Sequence, residues 1–590
     1  MTITTRAACI LATPLMILTV PALAGCKLGQ LLEMPVHMVG TAPVVSARIN
    51  GADAQFIIDS GAFYSVMPAA TAAQFQLRQE SAPDGLRING VGGSTRPSVV
   101  TVKEFGLGTT VTRRIEFLVA GSDFGNGLDG VLGQNLLGIA DAEYDLAQGV
   151  IRLIRPHGCG KEGLSYWAGS TPVSLVEINM TSPLKMQAIG NAYVNGAKIR
   201  VMFDTGASAS ALSRRAAARA GVKVDDPGVV AAGASFGVGR VSVDTWIAPV
   251  ASFKIGDEEI RNTRLRIGNF DLDEIDMLLG ADFFLSHHVY IANSQGRVYF
   301  TYNGGPVFNL KTIPASPASD AAAAAIPAPQ GANDPADAPG FSRRGTAFAA
   351  RHDYVHAIAD LTQACTLAPN EPEYFYQRAL ALWSNHQGEL ARPDLDRVLT
   401  LKPDHLEALM TRMELRLQQG DQEGALADLA TADHLAAPES AVRSDIGDVY
   451  MDIGRLPEGI AQYDLWIAAH AQDGKLANIL NSRCWARGLL GRDLDQALKD
   501  CNRSLSLRRD SANTYDSRGL VQFRRGEYRK SIADYDTALK LDPKQDWSLY
   551  VRGIDHLRLG QTDAGKADID AAIAISPQIA EEAKKYGVVP

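Results

Sequence analysis

The order of apolar and polar positions divides the chain into three stretches. From about residue 31 to 310, short apolar runs are broken by Gly, Asn and Asp, the pattern of strands closed by tight turns. "RINGADAQFIIDSGAF" (48–63) is typical. Asn-Gly between β-type residues predicts a type I′ hairpin, because both turn positions take positive φ. The strand that leaves it, "QFII", is apolar and ends on a carboxylate, Asp59. Residues 311–340 are rich in Ala and Pro and hold no aromatic until the stretch ends, the composition of a linker. From 341 onward the apolar period becomes that of amphipathic helices, as in "TYDSRGLVQFRRGEYRKSIADYDTALKLDP" (514–543).

Both structured stretches are repetitive. "YVNGAKIRVMFDTGAS" (193–208) repeats the opening segment. Asn50-Gly51 recurs as Asn195-Gly196 and Asp59 as Asp204, both 145 residues later. "DGVLGQNLL" (129–137) recurs as "DMLLGADFF" (276–284), and Gln148-Gly149 as Gln295-Gly296, each 147 residues later. One β unit is therefore present twice. In the helical stretch, glycines 420, 454, 491, 526 and 560 are spaced by 34, 37, 35 and 34 residues, and prolines 369 and 403 by 34.

Each β unit resembles a retropepsin-like aspartic peptidase protomer. The shared features are an apolar strand, D-(S/T)-G-A, a glycine-rich flap, and two apolar residues with Gly leading into a short helix. The helical period resembles tetratricopeptide repeats, about seven of them. The resemblance implies a multidomain chain: an all-β double-lobed acid-protease-like domain (26–158 and 171–310), then an all-α solenoid (341–590). It also assigns roles. Asp59 and Asp204 form a catalytic pair in a pseudo-dimer within one chain. Ser60, Gly61, Thr205 and Gly206 support the two loops. Ile88–Ser94, with Gly90, Gly92 and Gly93, is the first flap, and 233–240 the second. Two facing carboxylates cannot both ionise cheaply, so they would share one proton and activate a water. Ala62 and Ala207 carry no hydroxyl to stabilise the anion, so the expected optimum is about pH 5–6. Phe63 and Tyr64 are bulky beside the first aspartate, where the second copy has Ser208 and Ala209.

Composition adds limits. The net charge of −9 on 590 residues argues against nucleic acid as a partner. No cysteine or histidine spacing matches a metal motif, and no cofactor is expected. His287 and His288, adjacent on a strand, would face opposite ways and read as structural. Residues 1–25 carry one charge, Arg6, ahead of "AACILATPLMILTVPALA", which reads as a signal peptide. "LAGC" (23–26) resembles a bacterial lipobox, giving Cys26 two fates: lipidation, or a disulfide, for instance with Cys159. Cys484 and Cys501, seventeen residues apart across a helical hairpin, are a candidate disulfide or a pair of buried thiols. The expected protein is an exported, periplasmic aspartic endopeptidase acting on peptides or proteins, anchored to a membrane only if lipidated. Its repeats would recruit a protein partner. The alternative is an inactive peptide-binding or envelope scaffold protein.

Overall fold

The computed structural model describes residues 26–310 and 335–590, apart from 84, 92, 122–123, 125–126, 161, 180–186, 236–242, 273, 309 and 472. Residues 1–25, read as a signal peptide, Gly92 of the first flap, most of the second flap and 311–334 of the linker lie outside the described residues.

The two β units fold alike. In the first, Ala42–Ile49 pairs antiparallel with Ala52–Ile58 through Asn50 (φ 52°) and Gly51 (φ 91°). In the second, Ile189–Val194 pairs with Ala197–Phe203 through Asn195 (φ 49°) and Gly196 (φ 80°). Each Asn side chain also fastens its turn to a neighbouring strand. Asn50 Oδ1 accepts from the amides of Lys103 and Glu104, and Asn195 Oδ1 from those of Ala251 and Ser252. A short strand then runs parallel to the one carrying the aspartate: Gly130–Leu132 beside Phe56–Ile58, and Met277–Leu279 beside Val201–Phe203. Four short helices complete the lobes: α1 (Ala69–Gln74), α2 (Gln134–Leu137), α3 (Arg214–Arg219) and α4 (Ala281–Ser286).

A third sheet is built jointly. Its order is Lys27–Pro35, Val150–His157, Asp141–Asp145, His287–Ala292, Arg297–Tyr302, Ser174–Glu177, three strands from each lobe. The lobes meet where Ala142, Glu143 and Tyr144 pair with Ile291, Tyr290 and Val289. Its inner face, with Tyr144, Val289 and Phe300, belongs to one apolar core shared by both lobes. On its outer face Glu143 is 1 % exposed, held by His288 Nε2 (2.7 Å), Arg152 (3.3 Å) and Tyr166 Oη (2.5 Å). His287 turns the other way, to Glu258 (3.0 Å). Trp167 stacks on His288 with centroids 4.4 Å apart. The segment carrying Trp167 is tethered by a Cys26–Cys159 disulfide. Of the two fates read for Cys26, this is the disulfide, in which the sulfur is not free to form a thioether to lipid.

The C-terminal half is seven helical hairpins and a last short helix. They are α5 (Ala338–Ala350) and α6 (Tyr354–Leu367), α7 (Pro372–Ser384) and α8 (Gly388–Leu401), α9 (Leu406–Gln418) and α10 (Gln422–Leu435), α11 (Val442–Asp452) and α12 (Leu456–Ala469). Then come α13 (Leu476–Leu490) and α14 (Leu494–Leu507), α15 (Ala512–Arg524) and α16 (Tyr528–Leu541), α17 (Asp546–Arg558) and α18 (Thr562–Ile575), and α19 (Ile579–Lys585). The helical half starts inside the stretch read as linker, because Asp337 caps α5 by accepting from Gly340 N–H (2.9 Å). The periodic glycines at 420, 454, 491, 526 and 560 are all left-handed, at φ 63–78°. In the first two hairpins His352 (φ 61°) and His386 (φ 59°) take that conformation, which is why the glycine period begins only at 420. Cys484 and Cys501 are disulfide-bonded across α13 and α14.

A second period was missed in the sequence. Arg344, Arg378, Arg412, Arg518 and Arg552 each grip an aspartate sixteen residues on, bidentately: Asp360, Asp394, Asp428, Asp534 and Asp568. Arg483 does the same with Asp500, seventeen on. Several reach back to the preceding hairpin as well, Arg412 to Asp396 and Arg552 to Asp536. The α11–α12 hairpin breaks the series with Ile446 and Gln462.

Helix α5 packs directly on the β domain, touching both lobes. Thr346 Oγ1 accepts from Met38 N–H (3.2 Å), Arg351 donates to Gly304 O (2.8 Å), and Ala347 and Ala350 join the shared β core.

Candidate active site

Two strands carry the aspartates out of the core. Ile58 and Phe203, both fully buried, anchor them, and Asp59 and Asp204 follow at the strand ends. Each chain turns at once through a small residue and Gly, bringing amides back onto the carboxylate. Asp59 Oδ1 accepts from Gly61 and Ala62 N–H, both at 2.8 Å. Asp204 Oδ1 accepts from Gly206 (3.0 Å) and Ala207 (3.2 Å). The residues after the glycines, lacking hydroxyls, thus contribute through their backbone.

The loops cross-brace. Thr205 Oγ1 accepts from Ser60 N–H (3.0 Å) and donates to Ile58 O (2.7 Å). Ser60 Oγ accepts from Thr205 N–H (3.0 Å) and donates to Phe203 O (2.8 Å). Both hydroxyls are buried and fully satisfied. The brace sets Asp59 and Asp204 against each other, close enough for a hydrogen bond between their carboxyls. Gly61 and Gly206 are required by that approach. A Cβ on either would fall within 2.7 Å of the opposite carboxyl oxygens.

Burial raises the pKa of Asp59, opposed by its bond to Asp204 and by the two amides. Burial raises Asp204 further, with the Asp59 charge adding to it. Both shifts favour the protonated form, more strongly at Asp204, so the two carboxyls are unequal. Tyr144, from the joint sheet, lies buried near Asp59. Desolvation and the Asp59 charge push its phenol up, so it stays neutral. Nothing in its sequence context marked Tyr144.

The walls are apolar on both sides. Val44, Ile57, Leu128 and Val131 cluster in the first lobe, and Ile189, Met202, Ile275 and Leu278 in the second. The first flap is a hairpin, Ile88–Gly90 paired with Gly93–Thr95. Val91 at its tip packs against the second-lobe wall beside Ala207. Gln187, also unmarked by sequence, donates to Gly61 O. Tyr64 is 37 % exposed, in edge-on contact with Phe63. Among the described residues, no group of three or more His, Cys, Asp or Glu is placed to hold a metal ion.

Comparison with known proteins agrees with this geometry. A family model described as aspartyl protease matches residues 45–139 and again 190–283. The N-terminal region is aspartyl-protease-like, built twice. A tetratricopeptide-repeat model matches residues 512–545. The curated DnaJ homolog subfamily C member 7 homolog of Dictyostelium discoideum is 22 % identical over 219 residues. That match takes in 36 % of this chain and spans about a third of the relative's length, 35 %. Solved structures similar to this chain include the tetratricopeptide-repeat protein YrrB (17 % identity, 38 % of this chain and 97 % of that one, TM-score 0.22). MamA is another (17 %, 34 % and 96 %, 0.21), as is the Cut9–Hcn1 hetero-tetramer (14 %, 43 % and 50 %, 0.31).

Proposed function

We propose that the chain is an exported aspartic endopeptidase. The observation that carries this reading is the reciprocal Ser60–Thr205 brace, which sets two unequal carboxyls face to face. The ionised carboxylate takes a proton from a water between the pair. That water attacks the scissile carbonyl, while the protonated carboxyl gives its proton to the carbonyl oxygen. The tetrahedral species collapses as the amine leaves with a proton from the dyad. No acyl-enzyme forms. The flap hairpin tipped by Val91 closes over the substrate and excludes water. Two disulfides and the apolar N-terminal stretch support export to an oxidising compartment such as a periplasm. The repeats supply a surface for a protein or peptide partner.

The test is proteolysis of a denatured protein substrate across pH 3–8 by wild type, Asp59→Asn and Asp204→Asn. Both variants are expected to lose activity by at least a thousandfold. Full activity in either would rule out a shared pair. The second reading, an inactive peptide-binding protein, draws on the unequal residues beside the aspartates: bulky Phe63 and Tyr64 in the first loop, small Ser208 and Ala209 in the second. Peptide binding without cleavage by wild type at any pH would select it.

A further inference from the structure

Counted from the ladder arginine, positions −5, +2 and +6 lie on one face of each first helix, because they are spaced by seven and four residues. In α5, α7 and α9 that face meets the first β-lobe. It presents Thr346 and Ala350 from α5, and Glu373, whose charge acts on the His37 imidazole, from α7. It presents Glu407 from α9, whose carboxylate lies against Gly127. In α13, α15 and α17 the same face presents Trp485, Leu489, Leu520, Arg524, Ile554 and Arg558, with Trp547 from the start of α17.

This second half of the face is filled by the chain's own residues 586–590. Val588 is fully buried, in one cluster with Leu489, Leu520 and Ile554. Arg524 donates to Tyr586 O and to Gly587 O (3.3 Å), and Arg558 to Val589 O (3.3 Å) and Pro590 O (3.4 Å). Arg524 also holds Gly488 O (3.1 Å) and Leu489 O (3.2 Å) at the end of α13. The ladder arginines grip aspartates, whereas all four of these Arg524 contacts are main-chain carbonyls. Val589 beside the buried valine is 42 % exposed, so the segment is read through its backbone, Val588 and the partly buried Tyr586. A helix that only capped the array would need to touch α17 and α18. This segment reaches back to α15, across the face that the first helices share.

We propose that residues 586–590 occupy a peptide-binding groove in cis, as a displaceable plug. The ligand it excludes is an extended polypeptide segment that places a valine-like side chain in the Val588 pocket and its carbonyls on Arg524 and Arg558. This goes beyond the protease reading and does not depend on it.

The test uses the full chain, a full chain lacking 586–590, and a fluorescein-labelled peptide of residues 584–590 read by anisotropy. The deleted chain is expected to bind the peptide, and the full chain at least tenfold more weakly. Arg524→Ala in the deleted chain, or aspartate at the Val588 position of the peptide, is expected to weaken binding at least tenfold. A deleted chain of unchanged helicity that ignores the peptide would overturn the proposal, as would equal binding by both chains. If the deletion lowers helicity, Val588→Asp in the full chain replaces it, with α19 retained and the same titration. Loss of helicity in both variants would mean that the segment is a structural cap, which also overturns the proposal.

Discussion

Asn135 and Asp282 hold equivalent places in the two lobes, and each accepts two hydrogen bonds from one serine. Asn135 Oδ1 takes Ser65 N–H (2.7 Å) and Oγ–H (2.8 Å). Asp282 Oδ1 takes Ser210 N–H (2.9 Å) and Oγ–H (2.6 Å). Each serine Oγ then accepts from the glycine amide that leads into the short helix, Gly133 (3.0 Å) or Gly280 (2.9 Å). The aspartate loops are thus pinned from behind by side chains that sequence comparison of the two units aligns but does not explain. Removing the acceptor leaves two buried donors unmet, at about 1–3 kcal/mol each. Asn135→Ala and Asp282→Ala should each lower stability by about 2–4 kcal/mol in urea titrations. Asn135→Asp, which restores the oxygen, should cost less than either.

The carboxyl pair also sets a pH dependence of stability. Asp204 has its pKa raised in the fold by burial and by the Asp59 charge. Below the unfolded carboxyl value both states are protonated, and the fold carries no penalty. As pH rises from there through the folded value, the unfolded state ionises first and stability is lost. Asp204→Asn removes that penalty. Its Tm should exceed the wild-type value at pH 7, with the difference shrinking toward pH 4. A difference that is the same at both pH values would contradict the raised pKa. In the activity profile, the missing hydroxyls at Ala62 and Ala207 predict an optimum at about pH 5–6, and a peak below pH 3.5 would contradict it.

The Cys26–Cys159 bridge closes a loop of sequence separation 133, which spans nearly the whole first lobe. Such a cross-link constrains the unfolded chain by about 2–5 kcal/mol. Cys26→Ser with Cys159→Ser should lower the unfolding free energy by that amount, read as a lowered midpoint in urea. Reducing agent should lower it similarly in wild type and leave the double variant unchanged apart from the Cys484–Cys501 bridge.

The arginine–aspartate ladder predicts its own repair. Ile446 and Gln462 stand where the other hairpins have Arg and Asp, and Gln462 instead meets Arg443 (2.8 Å). Ile446→Arg alone would bury a charge without a partner and should cost about 3–5 kcal/mol. Adding Gln462→Asp should recover part of it. Thermal denaturation of the single and double variants measures the coupling.

Much of this fold could be read from local pattern. The Asn-Gly hairpins, the strands ending on Asp59 and Asp204, and the apolar strand before Gly133 and Gly280 recur at near-constant spacing, and each is a local device. The helical repeats announced themselves through glycines that must adopt left-handed backbone. What escaped depended on partners distant in sequence. The joint sheet pairs Glu143 with Tyr290, and Tyr144 acquires its role only because that sheet lies under Asp59. The ladder was visible in principle, since its arginines recur every 34 residues over much of the array. However, Arg and Asp on a helix usually read as solvated surface, and here they are partly buried. His352 and His386 hid the first two turns, because a left-handed conformation in a residue other than Gly, Asn or Asp leaves little trace in a pattern search.

The docking of α5 changes how the two halves should be thought of. Because Thr346, Ala347, Ala350 and Arg351 hold the first helix on the β-lobe directly, the connection between the halves serves to raise their local concentration, and the packed surfaces set their geometry. Lengthening or shortening that connection, or severing it after assembly, should leave the array aimed at the same place. The solenoid then behaves as an arm fixed to the β domain at its first helix.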